Sequence, residues 1–216
     1  MQEDNKNYCT IYLVRHGETE WNVKHITQGQ SNSSLTENGI EQAEETAEKL
    51  KDVEFNVIFS SDLSRAHKTA EIVKLNREII IQTSKLLRER SYGSFETKHA
   101  DEFRNTLKDK LKERESLSDS EYSSFRLATD VETDDELMTR FIRQLREIAV
   151  AYPNKNVLVV THAGCIKNFL IKTGYMERKT STEWYFKNAG FVKTLSDGVD
   201  FFIKEVQGIQ KKEESD

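Results

Sequence analysis

The chain is poor in the residues that staple, kink or anchor a protein. It has two cysteines and one proline in 216 residues, and no apolar run approaches the roughly 20 residues that a transmembrane helix needs. Cys9 and Cys165, each in an apolar context, cannot supply a disulfide framework, which fits a reducing cytosol. The polar start Met1-Gln2-Glu3-Asp4-Asn5-Lys6 predicts no secretory signal. No excess of positive charge exists either. The formal net charge of −5 argues against general nucleic-acid binding, which needs a basic face to neutralise phosphates. Metal signatures are missing as well: Cys-x-x-Cys and His-Glu-x-x-His do not occur, and His25, His67 and His99 have no ligand spacing. His162 and Cys165, at i, i+3, are the one pair that could face an ion. With 36% hydrophobic and 32% charged residues, the composition is that of a heavily charged, core-forming cytoplasmic protein.

What the chain does have is a set of short, unbroken apolar runs, each ending in polar residues. Ile11-Tyr12-Leu13-Val14 reads as a strand buried on both faces of a parallel sheet, and it breaks at Arg15-His16-Gly17. Ligand sites in open α/β sheets lie at the carboxyl ends of the strands, so this cation and imidazole are placed for chemistry. An ordinary strand followed by a basic turn is the plainer alternative. Thr36 is a candidate N-cap for a helix with Ile40, Ala43, Ala47 and Leu50 at helical spacing. Val57-Ile58-Phe59 is a second strand, and Ser60 to Ala66 opens a helix whose first turn holds Arg65. A cation there opposes the helix dipole by a few tenths to about 1 kcal/mol. A bound anion reverses that sign; otherwise the side chain simply points into water. A short third strand is predicted at Glu78–Gln82, followed by a loop with Glu89 between Arg88 and Arg90.

From Lys98 to Asp130 glycine and proline are absent. Lys108–Glu115 reads as an exposed helix of mixed charge, and Ser116–Ser124 has no clear periodicity. Leu137, Phe141, Leu145, Ile148 and Ala149 then mark an amphipathic helix that stops at Pro153. Val157–Val160 is a fourth buried strand. It delivers His162 at its carboxyl end, ahead of Ala163-Gly164 and a helix over Cys165–Lys172. Two histidines delivered alike by two parallel strands are hard to attribute to chance. Gly190-Phe191-Val192 and Val199–Ile203 suggest two closing strands joined through an Asp197-Gly198 turn, and a charged tail follows from about residue 210.

The blocks Leu13-Val14-Arg15-His16-Gly17-Glu18-Thr19, Trp21-Asn22 and Gln28-Gly29 resemble the signature of the histidine phosphatase superfamily, which includes the cofactor-dependent phosphoglycerate mutases. Ser60-Ser61, Leu63, Arg65-Ala66 and Thr69-Ala70 match its second block, Glu89 with Tyr92-Gly93 the block of its catalytic acid, and His162-Ala163-Gly164 the last. The chain departs from the pattern at Asn32 and Ser34, where an acidic residue and a proline are usual, which implies a looser loop. It departs again at Thr97, where a second glycine is common.

The resemblance implies an α/β three-layer sandwich, a mostly parallel central sheet flanked by helices, with a helical cap insert at about 98–130 in a single domain over 1–216. It also implies a metal-independent, cofactor-free phosphatase that takes a small phosphorylated metabolite and releases inorganic phosphate, with no nucleic-acid or membrane partner. His16 is then the nucleophile that becomes phosphohistidine, and Glu89 the acid and later the base. Arg15, Arg65 and His162 hold the phosphate, helped by Asn22, Gly29 and Ala163. The alternatives are a phosphoglycerate mutase and a non-catalytic scaffold of the same fold. Ala163-Gly164 after the second histidine, and the lack of an adjacent arginine pair between the acid block and that histidine, favour the phosphatase. Tyr92 is expected to pack, and His67 to be exposed on its helix.

Overall fold

A computed structural model describes residues 7–211. Its centre is a six-stranded sheet in the order β3-β2-β4-β1-β5-β6. Strands β1 (Cys9–Arg15), β2 (Val57–Ser61), β3 (Ile81–Ser84) and β4 (Asn156–Thr161) are parallel. Strands β5 (Trp184–Ser196) and β6 (Phe201–Lys211) complete one edge antiparallel.

Side-chain alternation explains the layers. Ile11, Leu13, Val57, Phe59, Val157 and Val159 face helices α7 (Asp134–Ala151) and α8 (Ala163–Lys172), meeting Leu137, Phe141, Leu145, Ile166 and Phe169. Their neighbours Tyr12, Val14, Ile58, Leu158 and Val160 point the other way, among Leu50, Ala66, Ala70 and Val73. Those last residues lie on, or just after, helices α2 (Glu37–Lys49) and α3 (Ser64–Val73). Strands that bury both faces must be apolar at every position, which is why β1, β2 and β4 read as unbroken runs.

A one-turn helix, α1 (Glu20–Val23), follows β1, and three short helices, α4 (Ala100–Thr106), α5 (Lys108–Glu115) and α6 (Asp119–Ser124), occupy the insert. The insert has a small core of its own: Phe95, Leu107, Leu127 and Val131, with Tyr92, Phe103, Leu111 and Phe125 packed against it. Ser116–Ser124, aperiodic in sequence, forms α6 through a capping box between Ser118 and Glu121.

Several boundaries differ from expectation. The third strand lies at Ile81–Ser84, not Glu78–Gln82, and Ile80 is 85% exposed; an edge strand with one neighbour has little burial to fix its pattern. Thr36 caps α2 as expected, but Ile40 stays exposed because the buried face runs through Gly39, Ala43, Thr46 and Ala47. Helix α8 starts at Ala163 with His162 as N-cap. Strand β6 begins at Phe201, leaving Val199 exposed in the turn, and continues through Gln210 and Lys211, where a tail was expected. The rest of that expected tail lies outside the described residues. Asn32 does not loosen its loop. Its Oδ1 accepts from the Ser64 N–H at 2.9 Å and from the Ser64 hydroxyl at 3.0 Å, tying the loop to the start of α3. No helix among the described residues is long and apolar enough to cross a membrane.

Candidate active site

The carboxyl ends of β1, β2 and β4, together with the loop after β3, converge on one cavity of about 520 Å³. Arg15, His16, Asn22, Gly29, Arg65, Glu89 and Ala163 all line it. His162 has no exposed surface and does not line the cavity, but its ring lies 5.2 Å from that of His16, centre to centre. The topology therefore brings together all eight residues singled out from the sequence.

His16 is held in one tautomer. Its Nδ1 lies 2.7 Å from the Gly17 carbonyl, to which only an N–H can donate, so the lone pair of the neutral ring is on Nε2. Burial, then the charges of Arg65 and Arg15, hold its pKa well below the ordinary histidine value; the Gly17 bond opposes them. Backbone contacts anchor the residue from two sides: its carbonyl accepts from the Ala189 N–H and the Asn188 side chain, both at 3.2 Å, while Gly17 N–H donates to Thr69.

Arg65 is 1% exposed, so the water-facing alternative fails. Its guanidinium donates to the carbonyls of Ser31 and Gly29 at 2.7 Å each, and its Nε lies 3.3 Å from His16 Nε2. Gly29 reaches this position at φ +50, where a side chain would also collide with Glu96. Arg15 donates from Nη1 to the Phe186 carbonyl, whereas its buried Nε has no partner. Burial, above all, lowers both arginine pKa values to about 10, so both stay charged at neutral pH. His162 is likewise kept neutral, first by burial and then by Arg65. Neither of its ring nitrogens has a hydrogen-bond partner. The Arg15 Nε–H and the single N–H of the neutral His162 ring are therefore two buried donors left for an anion, while Gln28 Oε1 is a buried acceptor in the same cavity.

Glu89 is not paired with the arginines beside it. Arg88 turns to Asp62, making two bonds at 2.6 and 2.7 Å, and Arg90 turns to Asp134. The Glu89 carboxyl accepts from the Gly164 N–H at 2.9 Å and from the Arg90 N–H at 2.7 Å. A Cβ on Gly164 would sit well inside contact distance of Glu89 Oε1, so that position must be glycine for the carboxyl to lie there.

Sequence reading missed the groups that hold this loop. Arg140, on α7, donates to the carbonyls of Leu86, Arg88 and Glu89 at 2.9, 2.6 and 2.9 Å, and is itself gripped by Glu132 at 2.6 and 2.8 Å. Glu96 accepts from Gln30, Ser31 and Tyr92, joining the loop around Gly29 to the one after Glu89. The sequence signal for Arg140 is slight: an arginine beside the apolar stripe of α7. Tyr92 packs edge-on against Phe103 at 5.3 Å, and the His67 side chain is 39% exposed. Cys165 gives its thiol to the Arg88 carbonyl, and burial raises its pKa. Among the described residues, no group of three or more His, Cys, Asp or Glu is arranged to hold a metal ion.

A neutral imidazole facing two guanidiniums, with a carboxyl across the cavity, can transfer a phosphoryl group. The family model of the histidine phosphatase superfamily (branch 1) matches residues 11–207. The uncharacterized phosphatase PhoE of Bacillus subtilis is 34% identical over 160 residues, 74% of this chain and 75% of that protein. The structure of Bacillus stearothermophilus YhfR superposes with a TM-score of 0.80 at 29% identity, covering 93% of this chain and 96% of the other. A phosphoglycerate mutase from Bacillus anthracis superposes with a TM-score of 0.78 at 26% identity, covering 95% of each.

Proposed function

This chain belongs to the histidine phosphatase superfamily, and we propose that it is a metal-independent phosphatase hydrolysing phosphomonoesters of small metabolites through a phosphohistidine on His16. The observation that carries this reading is the state of His16: a neutral ring lining the cavity, its Nδ1–H held by the Gly17 carbonyl and its Nε2 lone pair accepting a long 3.3 Å bond from Arg65 Nε, which an incoming phosphate would take over. In the first half-reaction Nε2 attacks phosphorus as the ester P–O bond breaks, and Glu89 gives its proton to the leaving alkoxide. Arg15, Arg65 and His162 donate to the equatorial oxygens, where charge develops. Asn22, Gly29 and Ala163 border the same space. In the second half Glu89 takes a proton from water as it attacks phosphohistidine. Inorganic phosphate leaves, and His16 is neutral again.

The likeness to a named mutase keeps a second reading in view. A mutase must retain a doubly phosphorylated intermediate, which calls for cations left free around the cavity. Of the cations of the insert and α7 only Arg104 lines the cavity, 3.0 Å from Asp101, and the other arginines are engaged elsewhere: Arg114 with Asp134, Arg126 with Glu136, Arg140 with Glu132, Arg143 with Glu147 and Arg146 with the Val199 carbonyl. Rapid quench with labelled p-nitrophenyl phosphate should trap an acid-labile, alkali-stable adduct that His16→Ala abolishes. Label on serine, or none, would defeat the assignment. Conversion of 3-phosphoglycerate to 2-phosphoglycerate faster than phosphate release from any ester would favour the mutase.

A further inference from the structure

One carboxylate stands behind the catalytic cavity without lining it. Glu96 follows the short turn Gly93–Phe95. Its Oε1 accepts from the Gln30 and Tyr92 N–H groups, both at 3.0 Å, and its Oε2 from the Ser31 hydroxyl at 2.8 Å. Gly29 packs so closely on it that a Cβ there would overlap the carboxylate. Thr97, at φ +71, turns the chain back at once. Its N–H donates to the Thr27 carbonyl at 2.9 Å, and the Thr27 N–H donates to the Lys98 carbonyl at 2.8 Å. The segment 27–31 is thereby fastened along its length to 96–98.

That segment is what receives Arg65. The guanidinium donates to the Gly29 and Ser31 carbonyls, and these two bonds fix the direction in which Nε meets His16 Nε2. Gly29 and Ser31 are also residues that Glu96 grips. The charge of Glu96, after that of Glu89, favours the charged form of Arg65 against the effect of burial. The acid side of the cavity is secured separately. Arg140 holds the carbonyls of Leu86, Arg88 and Glu89, and the Gly164 N–H holds the Glu89 carboxyl. The one bond from Glu96 to that side reaches Tyr92, beyond Glu89 in the chain. Loss of Glu96 therefore releases the groups that receive Arg65 before it releases the acid.

We propose, resting on the phosphatase reading for the role of Arg65, that Glu96 is a positioning residue of the reaction: through the carbonyls of Gly29 and Ser31 it aims the Arg65 guanidinium at the phosphate. It works on the phosphoryl end and not on the leaving group. Its removal slows transfer from every phosphomonoester alike, whereas a disturbed acid loop spares esters whose leaving group needs no proton.

Orthovanadate binding and first-turnover labelling of His16, both on the intact chain, test this. Glu96→Ala should weaken orthovanadate by about tenfold, the worth of one misaligned charged hydrogen bond. It should slow His16 phosphorylation by about 10² for p-nitrophenyl phosphate and for an alkyl phosphate alike. Glu96→Gln should restore most of both, because its amide oxygen can accept the two N–H groups while its NH₂ donates to Ser31 Oγ. In an Arg65→Lys background Glu96→Ala should cost orthovanadate little further affinity, since a lysine cannot serve both carbonyls and the anion. Should Glu96→Ala fail to fold, Glu96→Asp, one methylene too short to reach Gln30 and Ser31 together, reads the same cycle. Unchanged orthovanadate affinity, the full loss repeated in the Arg65→Lys background, or a loss of rate confined to the alkyl phosphate would overturn the proposal. The orthovanadate cycle is read without turnover, so its failure is distinct from failure of the phosphatase reading, which shows as no label on His16 in the wild-type chain.

Discussion

Arg140→Lys is the change that best separates positioning from chemistry. The wild-type guanidinium makes five hydrogen bonds, three to carbonyls of the Leu86–Glu89 segment and two to Glu132, and its side chain is 17% exposed. A lysine keeps the charge but has three donors on a single atom, which cannot span three carbonyls and a carboxylate. At least two bonds from a charged donor are lost, each worth roughly 1.5–3 kcal/mol where buried. Relaxation recovers part of this, leaving an expected stability loss of about 2–4 kcal/mol. The catalytic effect is separate. A displacement of about 1 Å in a positioned group costs on the order of 10²-fold in rate, and here the group that moves is Glu89. The loss should therefore fall on substrates whose leaving group needs a proton. Measured at a temperature where the variant is folded, the rate of His16 phosphorylation (rapid quench, first turnover) by an alkyl phosphate should drop by about 10², while phosphorylation by p-nitrophenyl phosphate, whose phenolate leaves unprotonated, should lose far less. Equal losses on both substrates, or none on either, would refute the argument that Arg140 acts through the acid loop.

Gly164→Ala should push the Glu89 carboxyl out of place, since the new methyl would overlap Oε1; the same substrate comparison reads it, and an unchanged alkyl phosphate rate would contradict the packing. The two buried histidines should make stability fall on acidification. Their folded pKa values lie below the unfolded value of about 6.5, so the unfolded chain binds more protons as pH drops through that value. Stability is then complete above about pH 7.5 and declines as pH falls through about 6.5, by at most about 3 kcal/mol for the pair at pH 5.5. Urea unfolding at both pH values measures this, and His162→Gln should lessen the decline; an equal decline in the variant would exclude His162 as a source. Thr97 sits at φ +71, a conformation that a β-branched residue adopts only under strain. Thr97→Gly should raise stability by a few tenths to about 1 kcal/mol, the strain relieved exceeding the added unfolded-state entropy, and a fall in Tm would show that strain is not the larger effect.

The parts legible in the sequence were those that local rules govern. Residues such as Leu13 and Val159 must be apolar because both sheet faces are covered, so β1, β2 and β4 announced themselves, and with them the points where His16 and His162 leave the sheet. Thr36, as an N-cap, and the apolar stripe of α7 follow equally short-range rules. Strand β3 slipped because an edge has weak patterning. The β5–β6 pair ran longer than expected because its ladder shifts register between Phe186 and Phe191, with Ala189 at φ +54, and an irregular stretch breaks the two-residue period.

The sequence by itself determined which chemistry-bearing residues exist and which end of which strand carries them, because side-chain period and burial are properties of a few consecutive residues. Only the tertiary structure decided their state. His16 and His162 are neutral because the fold buries them beside two guanidiniums. Arg65 faces inward because carbonyls of Gly29 and Ser31, more than thirty residues away, receive it. Glu89 is free of its neighbouring arginines because Asp62, Asp134 and the distant Arg140 hold the loop around it. Such bonds join segments with no fixed spacing along the chain, and their partners become neighbours only once the sheet has assembled.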